Sequence, residues 1–466
     1  MKTTLLATLL TTLSLVGMAQ ETPTALTTAS QQTAFTLFDA VARQQTGNIC
    51  FSPLSAQMAL AMLQNGAAGN TLTQLQQALG TQGFTDQEIG QFYAHLSEQL
   101  TERPPYSTYA DYYEAFAEEM QTDPQEIYDG FYPRCELANS LWTRPGLTLY
   151  DTFTEALRSN YDAGVDAVRF STWEGIERVN GWVYEHTHGL IPMLYDKPRS
   201  SDLAVVLTNV LYFKGSWTKE FDPEATHKAP FLLDEDTYAT VDMMLDRGRY
   251  ECAVTPSFQT ITLHYGTSND FSMTLFVPLE GTELPPLTYD DWKASRQMTL
   301  LHINLYMPVF AIDQQRYSLE DILMNLGVTD AFSLNADFSR MTDSQLKVEN
   351  VYQLSKISVN EKGTEAAALT VIEMPDGIDP TRPEDYQDFK ADRPFYFTIQ
   401  NNKANAILFA GRVTHLEGPV GQVNAIDALS AAGHSATTFD LMGRSVNTTP
   451  TRGGIYVRDG KKVVIK

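Results

Sequence analysis

The sequence predicts an α+β fold, and three observations carry that prediction. Apolar residues recur at helical spacing up to about residue 101, short apolar or alternating runs dominate beyond residue 200, and few regular β-α-β units link the two regimes. A chain of 466 residues with 43% apolar and 19% charged side chains holds enough apolar material for a large core. One large domain with appendages is therefore expected.

The chain opens with Met1-Lys2 and an apolar, threonine-punctuated stretch from Leu5 to Met18, followed by Ala19 and polar Gln20-Glu21. This reads as a signal peptide over residues 1–19, cleaved after Ala19, where small residues suit the peptidase. Its apolar core is shorter than the ~20 residues a membrane span needs, and no later segment is long and apolar enough to span. The product is expected to be secreted, extracellular or held at the outer surface. Cys50, Cys135 and Cys252 are three in number, so they cannot all pair internally, and their wide spacing forms no metal motif. Cys50 sits in an apolar strand and reads as a small buried hydrophobe.

Helices come first. Phe35, Leu37, Phe38 and Val41 form one stripe, and Ala59, Met62 and Leu63 form another. Thr71 and Gln74 have capping-box spacing and predict the start of a short helix that Gly80 ends. Phe92, Leu96 and Leu100 share a face within residues 86–101. Residues 102–134 are acidic and tyrosine-rich, and Tyr112, Tyr113, Phe116 and Met120 predict one extra helix there. That stretch reads either as a docking surface or as a solvated decoration. Strands follow: Leu203 to Phe213, Phe258 to Leu263, Met273 to Val277, His302 to Met307 and Phe395 to Ile399 are short apolar or alternating runs.

The stretch from Val359 to Ile372 alternates strictly. From Thr364 onward one parity holds Thr364, Ala366, Ala368, Thr370, Ile372 and Met374, none charged. The other holds Glu365, Ala367, Leu369, Val371 and Glu373. Successive strand residues face opposite sides, so one face is expected to be buried and the other wet.

The wording of this stretch carries more than its alternation. Glu361-Lys362-Gly363-Thr364-Glu365-Ala366-Ala367-Ala368 closely resembles the reactive-loop hinge of the serpins, protease inhibitors that insert a cleaved loop into their own sheet. Further blocks resemble the same family in the same order: Asn48 to Ser55 with Gly66-Ala67-Ala68-Gly69, Leu137 to Trp142, Val179 to Val183 with Thr187 to Ile191, Leu207 to Trp217, and Arg393 to Phe397 with Leu408 to Val413. The resemblance implies a serpin fold over residues 20–417, with three β-sheets, about eight or nine helices and an exposed reactive loop over 361–393. In that pattern 102–134 is an insertion. The tail 418–466 resembles, in Thr438 to Arg444, Gly453 to Val457 and Lys461 to Lys466, the small β sorting tails of the type IX secretion system.

What the family does sets the functional expectation. A serpin is a suicide substrate: the target protease cuts the loop, forms an acyl-enzyme, and is trapped when the loop inserts as a new strand. The partner implied is a target protease, serine or possibly cysteine in class, met by a monomer. Carried over by position, Glu361, Gly363, Thr364, Glu365, Ala366, Ala367 and Ala368 form the hinge, with Thr364, Ala366 and Ala368 facing inward and Glu365 outward. Ser52, Ser55 and Asn209 match polar positions where the sheet opens, and Trp217 matches the aromatic near the loop. Gln353 stands where that region commonly has histidine, which removes a pH-sensitive contact. Family spacing places the scissile bond about sixteen residues after Glu361, between Gly377 and Ile378, with Asp376-Gly377 as the alternative. The 33-residue interval from Glu361 to Pro394 is longer than usual, so the bait can lie elsewhere. Arg382 is followed by Pro383, which disfavours trypsin-like cleavage and points to an elastase-like or broad-specificity protease.

The rest of the chain offers no competing chemistry. There is no Gly-x-Ser-x-Gly elbow, His-Glu-x-x-His pair or phosphate-cradling loop, so no catalytic residue, cofactor or metal is assigned. His186 and His188 point to different sides of a helix end and do not share a metal. With 33 basic against 57 acidic residues the net charge is -24, which repels nucleic acid. Two other readings stay open: a non-inhibitory serpin acting as a binding or carrier protein, and a structural surface protein.

Overall fold

The computed structural model describes residues 24–234, 236–279, 281–349, 351–365 and 386–422, and the backbone of four short strands between 438 and 465. The apolar stripes become buried helix faces. α1 (Thr24–Gln44) buries Phe35, Leu37, Phe38 and Val41. After β1 (Ile49–Phe51), Ser52 caps α2 (Pro53–Gly66) by accepting from the Ser55 amide at 3.2 Å, with Pro53 in the first turn. Every residue of α2 is buried, so it runs through the core. α3 (Gly69–Leu79) ends at Gly80 with φ 67°, as expected. Its start differs: the helix begins two residues before Thr71, whose hydroxyl instead accepts from the Asp337 amide at 3.0 Å. A true capping box forms one helix later, where Thr85 and Glu88 exchange hydrogen bonds at the head of α4 (Asp86–Thr101).

The insertion holds two helices where one was expected. α5 (Ala110–Met120) and α6 (Pro124–Phe131) pack around Tyr113, Ala117, Ile127 and Tyr128. The missed signal is Asp123-Pro124, an N-cap aspartate accepting from the Gln125 amide at 2.7 Å and a proline in the first turn. With α7 (Asp151–Tyr161), α8 (Trp173–His186), α9 (Tyr289–Ser295) and α10 (Glu320–Asn325) the described residues hold ten α-helices.

The strands form two large sheets. One runs β10 (Phe310–Ser318), β11 (Tyr352–Asn360), β12 (Gly363–Thr364), β4 (Val205–Ser216), β2 (Arg134–Thr143), β3 (Ala163–Ala167). The other runs β1, β15 (Ala406–Val413), β14 (Phe395–Asn401), β8 (Phe271–Pro278), β7 (Phe258–Tyr265), β6 (Thr237–Val254), β9 (Thr299–Pro308), β13 (Gln387–Lys390), and both β5 (His227–Leu232) and β16 (Val420–Gln422) also pair with β6. The α+β class stands, but the three sheets expected of the body are two. β6 is 18 residues long and pairs in turn with β5, β9 and β7, which joins what would be separate sheets. The tail forms its own four-stranded sheet from β17 (Thr438–Asp440), β18 (Ser445–Val446), β19 (Gly454–Arg458) and β20 (Lys461–Ile465). Body pairing also extends beyond residue 417, since β16 lies antiparallel to β6 with Val420 opposite Ala239.

The six-stranded sheet is covered on both faces. Leu211 and Phe213 of β4 join the main core with α1 and α2. Residues of the other parity, Val206 and Val210, join Leu354 of β11 and Ile176, Val179 and Val183 of α8 in a second core. The outer face is therefore dry beneath α8. All three cysteines are free and buried, and burial pushes the Cys50 thiol up to about 12, which leaves it unreactive.

Candidate functional site

The site is the place where β11 hands over to β12. After Asn360 the chain turns through Glu361 and Lys362 and doubles back, so that Gly363 and Thr364 lie antiparallel to both neighbours. Gly363 faces Asn360 and Ser216, and Thr364 faces Val359 and Gly215. Gly363 has φ 150° and packs so closely that a Cβ would collide with the Gly215 carbonyl, which makes glycine obligatory. The turn is pinned from one side: Trp217 and Phe221 amides donate to the Lys362 and Glu361 carbonyls, both at 2.9 Å, and the Thr226 hydroxyl donates to the Glu361 carboxylate at 2.8 Å.

An aromatic pair clamps the first inward residue. Trp217 is buried, its ring lies flat on Tyr265 at 4.4 Å between centroids, and its indole N–H donates to the Asn360 carbonyl at 2.9 Å. The Tyr265 phenol meets the Thr364 hydroxyl at 2.6 Å. Thr364 is buried, on the inward parity. Glu365 departs from the sequence expectation. It leaves the strand at φ 52°, donates its amide to the Ser358 carbonyl at 3.0 Å, and is half-buried instead of facing water. Burial pushes its carboxyl up to about 7, against the pull of Lys356 and Lys214.

Beneath the sheet lies a polar cluster. The Ser55 hydroxyl bonds the Asn209 side chain, and Asn209 in turn donates to Asn139. The Asn139 amide donates to the Tyr161 carbonyl at 2.7 Å, and Ser355 bonds the Cys50 carbonyl. Ser52, Ser55 and Asn209 are thus brought together with Asn139, which sequence reasoning did not single out. Gln353 is only 2% exposed, and its amide donates to the Leu354 carbonyl at 2.8 Å. Its carbonyl oxygen, like the Thr208 hydroxyl on β4, is buried with no partner among the described residues. Such groups are rare in native cores.

The two strands carrying those orphan groups do not pair with each other. Among the described residues β4 and β11 join the same sheet only through β12. Tyr265, Lys214, Lys356 and Thr208 complete the site and carried no local sequence signal, because sheet register alone assembles them. Ala366, Ala367, Ala368, Asp376, Gly377 and Ile378 lie outside the described residues.

Comparison with known proteins places this geometry in a family. Residues 28–416 match the family "Serpin (serine protease inhibitor)". The chain is 30% identical over 406 residues to Iripin-3 of Ixodes ricinus, covering 84% of this chain and 95% of that one. It is 30% identical over 393 residues to Serpin B6 of Pongo abelii, covering 81% and 96%. Human thyroxine-binding globulin superposes with a TM-score of 0.69 at 25% identity, over 84% of this chain and 98% of its own. Serpin48 of the insect Tenebrio molitor superposes with a TM-score of 0.68 at 25% identity, over 85% and 99%. The matched span contains the hinge, the aromatic clamp and the polar cluster beneath the sheet, and the chain belongs to the serpin family.

Proposed function

We propose that the protein is a secreted suicide inhibitor of an elastase-like or broad-specificity serine protease, with no catalytic activity of its own. The observation that carries the reading is the register of β12 between β4 and β11. Continued past Thr364, that register moves each loop residue one step along both strands. In an inserted strand Ala366 would fall opposite Phe213 and Ile357, Ala368 opposite Leu211 and Ser355, and Thr370 opposite Asn209 and Gln353. These are the inward positions, and the loop offers them small or hydroxyl side chains. The Thr370 hydroxyl is a donor for the Gln353 oxygen that lacks one.

The second parity fits equally. Glu365 would pass beside Lys214, and Leu369 opposite Val210 and Leu354, which belong to the apolar cluster under α8. That accounts for Leu369 and Val371 on a parity first read as wet. Burying one such side chain contributes ~1.5–3 kcal/mol, and each rung adds backbone hydrogen bonds to strand edges turned toward one another. Both terms favour insertion after cleavage, and a protease acylated on the loop would be carried with it.

The test is incubation of the chain beginning at Gln20 with elastase-like, trypsin-like, papain-like and aspartate-specific proteases, followed by denaturing gels and mass spectrometry. A denaturant-resistant adduct with the cut mapped at Gly377-Ile378 or Asp376-Gly377 supports the trap. Clean cleavage with neither an adduct nor a large rise in thermal stability would turn the assignment to a carrier, the reading favoured by the likeness to thyroxine-binding globulin. Export through residues 1–19, and passage across an outer membrane directed by residues 418–466, belong to the same proposal; both ends lie wholly or largely outside the described residues.

A further inference from the structure

The hairpin of α5 and α6 is built as a rigid platform. Arg103 pairs with Asp129 at 2.6 Å and lies 4.2 Å over the Tyr128 ring. The Tyr128 phenol donates to the Pro104 carbonyl at 2.6 Å, and Gln125 donates to Asp129 at 3.1 Å. Tyr106, Tyr113 and Tyr128 meet edge-on or tilted at 5.4–5.6 Å around the hairpin's own core. A solvated decoration needs none of this.

The platform stands beside the hinge. The Phe131 carbonyl, at the end of α6, accepts from the Thr267 amide at 3.0 Å. The neighbouring Gly266 amide donates to Ser216, the residue that faces Gly363. Tyr265, next along, holds Thr364. Arg134, which follows the hairpin, faces Lys214 on β4. A bond twelve residues past Glu365 is tethered within ~40 Å of that corner by chain length alone. A protease at work on that bond is therefore within reach of the hairpin.

The outward face of α5 is aromatic and acidic. Tyr109 and Tyr112 are 55% and 54% exposed, and Tyr112 stacks on Phe116 with 6° between the rings. Asp111, Glu114, Glu118 and Glu119 are exposed on the same helix with no ion-pair partner among the described residues. Helix physics opposes this arrangement. Asp111–Glu114 and Glu114–Glu118 are like charges at neighbouring positions, and Glu118 and Glu119 sit at the negative end of the helix dipole. No basic residue occupies the last turn. Such a face is complementary to a cationic surface carrying arginine or lysine, which would relieve the repulsion and stack on the tyrosines.

We propose that the exposed face of α5 is an exosite that captures the target protease through a basic surface patch before the loop is cut. The proposal rests on the trap reading and adds a selectivity to it: cationic proteases are favoured. The test compares three full-length proteins. One is wild type, one carries Asp111→Asn, Glu114→Gln, Glu118→Gln and Glu119→Gln with Tyr112→Ser, and one neutralises the exposed acids Glu155, Glu174, Glu283 and Asp321 as a control for overall charge. Two readouts are taken: the association rate with a cationic elastase-like protease across a salt series, and the affinity for that protease with its nucleophilic serine replaced by alanine.

The expected result is an association rate about tenfold lower and a flatter salt dependence for the α5 variant alone, with an unchanged number of inhibitor molecules consumed per protease. The inactive protease should bind the α5 variant correspondingly more weakly. Equal losses in both variants would assign the effect to the general charge of the chain and overturn the exosite, as would no loss in either. Because the inactive protease needs no covalent step, its binding decides the exosite even if wild type forms no adduct and the trap reading falls.

Discussion

The Tyr265 phenol bonds the Thr364 hydroxyl at 2.6 Å while its ring is stacked 4.4 Å from Trp217, so one side chain ties the hinge to the end of β7. Replacing Tyr265 by Phe keeps the stack and leaves the buried Thr364 hydroxyl without its partner. Native stability should fall by ~1–3 kcal/mol, read by denaturant titration, and loop cleavage by a non-target protease should speed up. A variant equal to wild type in both would show that the bond does not hold the hinge.

Gly363 is the tightest point of the hinge. Gly363→Ala would drive a Cβ into the Gly215 carbonyl and should expel β12 from between β4 and β11. Insertion then starts later, so the variant should be cut as a substrate, with several inhibitor molecules consumed for each protease trapped. Titration of residual protease activity against inhibitor measures this directly.

Glu365 sets a pH dependence. Its carboxyl is raised from 4.5 to about 7 by burial, so the native state holds a proton that the unfolded chain has released between those values. Stability from this group is present at pH near 4.5 and is lost as pH rises through about 7. Lys214 and Lys356 face the carboxyl from β4 and β11 and oppose the shift without cancelling it. Glu365→Gln should therefore match wild type near pH 4.5 and melt higher above pH 7. Parallel melting curves across that range would sink the assignment.

Leu369→Asp tests the second parity. In the extended register a carboxylate would arrive opposite Val210 and Leu354 beneath α8, where burial of an unpaired charge is prohibitive. Adduct yield should collapse while cleavage continues. Thr370→Val should still give adduct, but the cleaved protein should gain less thermal stability than cleaved wild type, because the Gln353 oxygen stays unsatisfied.

The helical half was legible because each stripe buries the face it names, as Phe35, Leu37, Phe38 and Val41 do on α1. Gly80 announced its C-cap for the same local reason. Thr71 misled, because its hydroxyl serves Asp337, a partner that only tertiary packing supplies. The hinge was readable as letters, and Thr364 falls on the inward parity. Glu365 was not readable, since alternation holds only while the strand lasts and the backbone turns left-handed immediately after Thr364. The merging of the sheets was hidden too: a long strand such as β6 gives no local sign of how many partners share it.

β16 has a mechanical consequence. It is zipped antiparallel to β6 through Val420, Gly421 and Gln422, with the Thr240 amide donating to the Pro419 carbonyl at 2.9 Å. Any pull on the chain beyond Gln422, whether from a membrane attachment or from an export machine, is borne first by those rungs. The load path runs into β6 and away from the β4–β12–β11 seam, so tension on the tail falls on a different sheet from the one that holds the hinge.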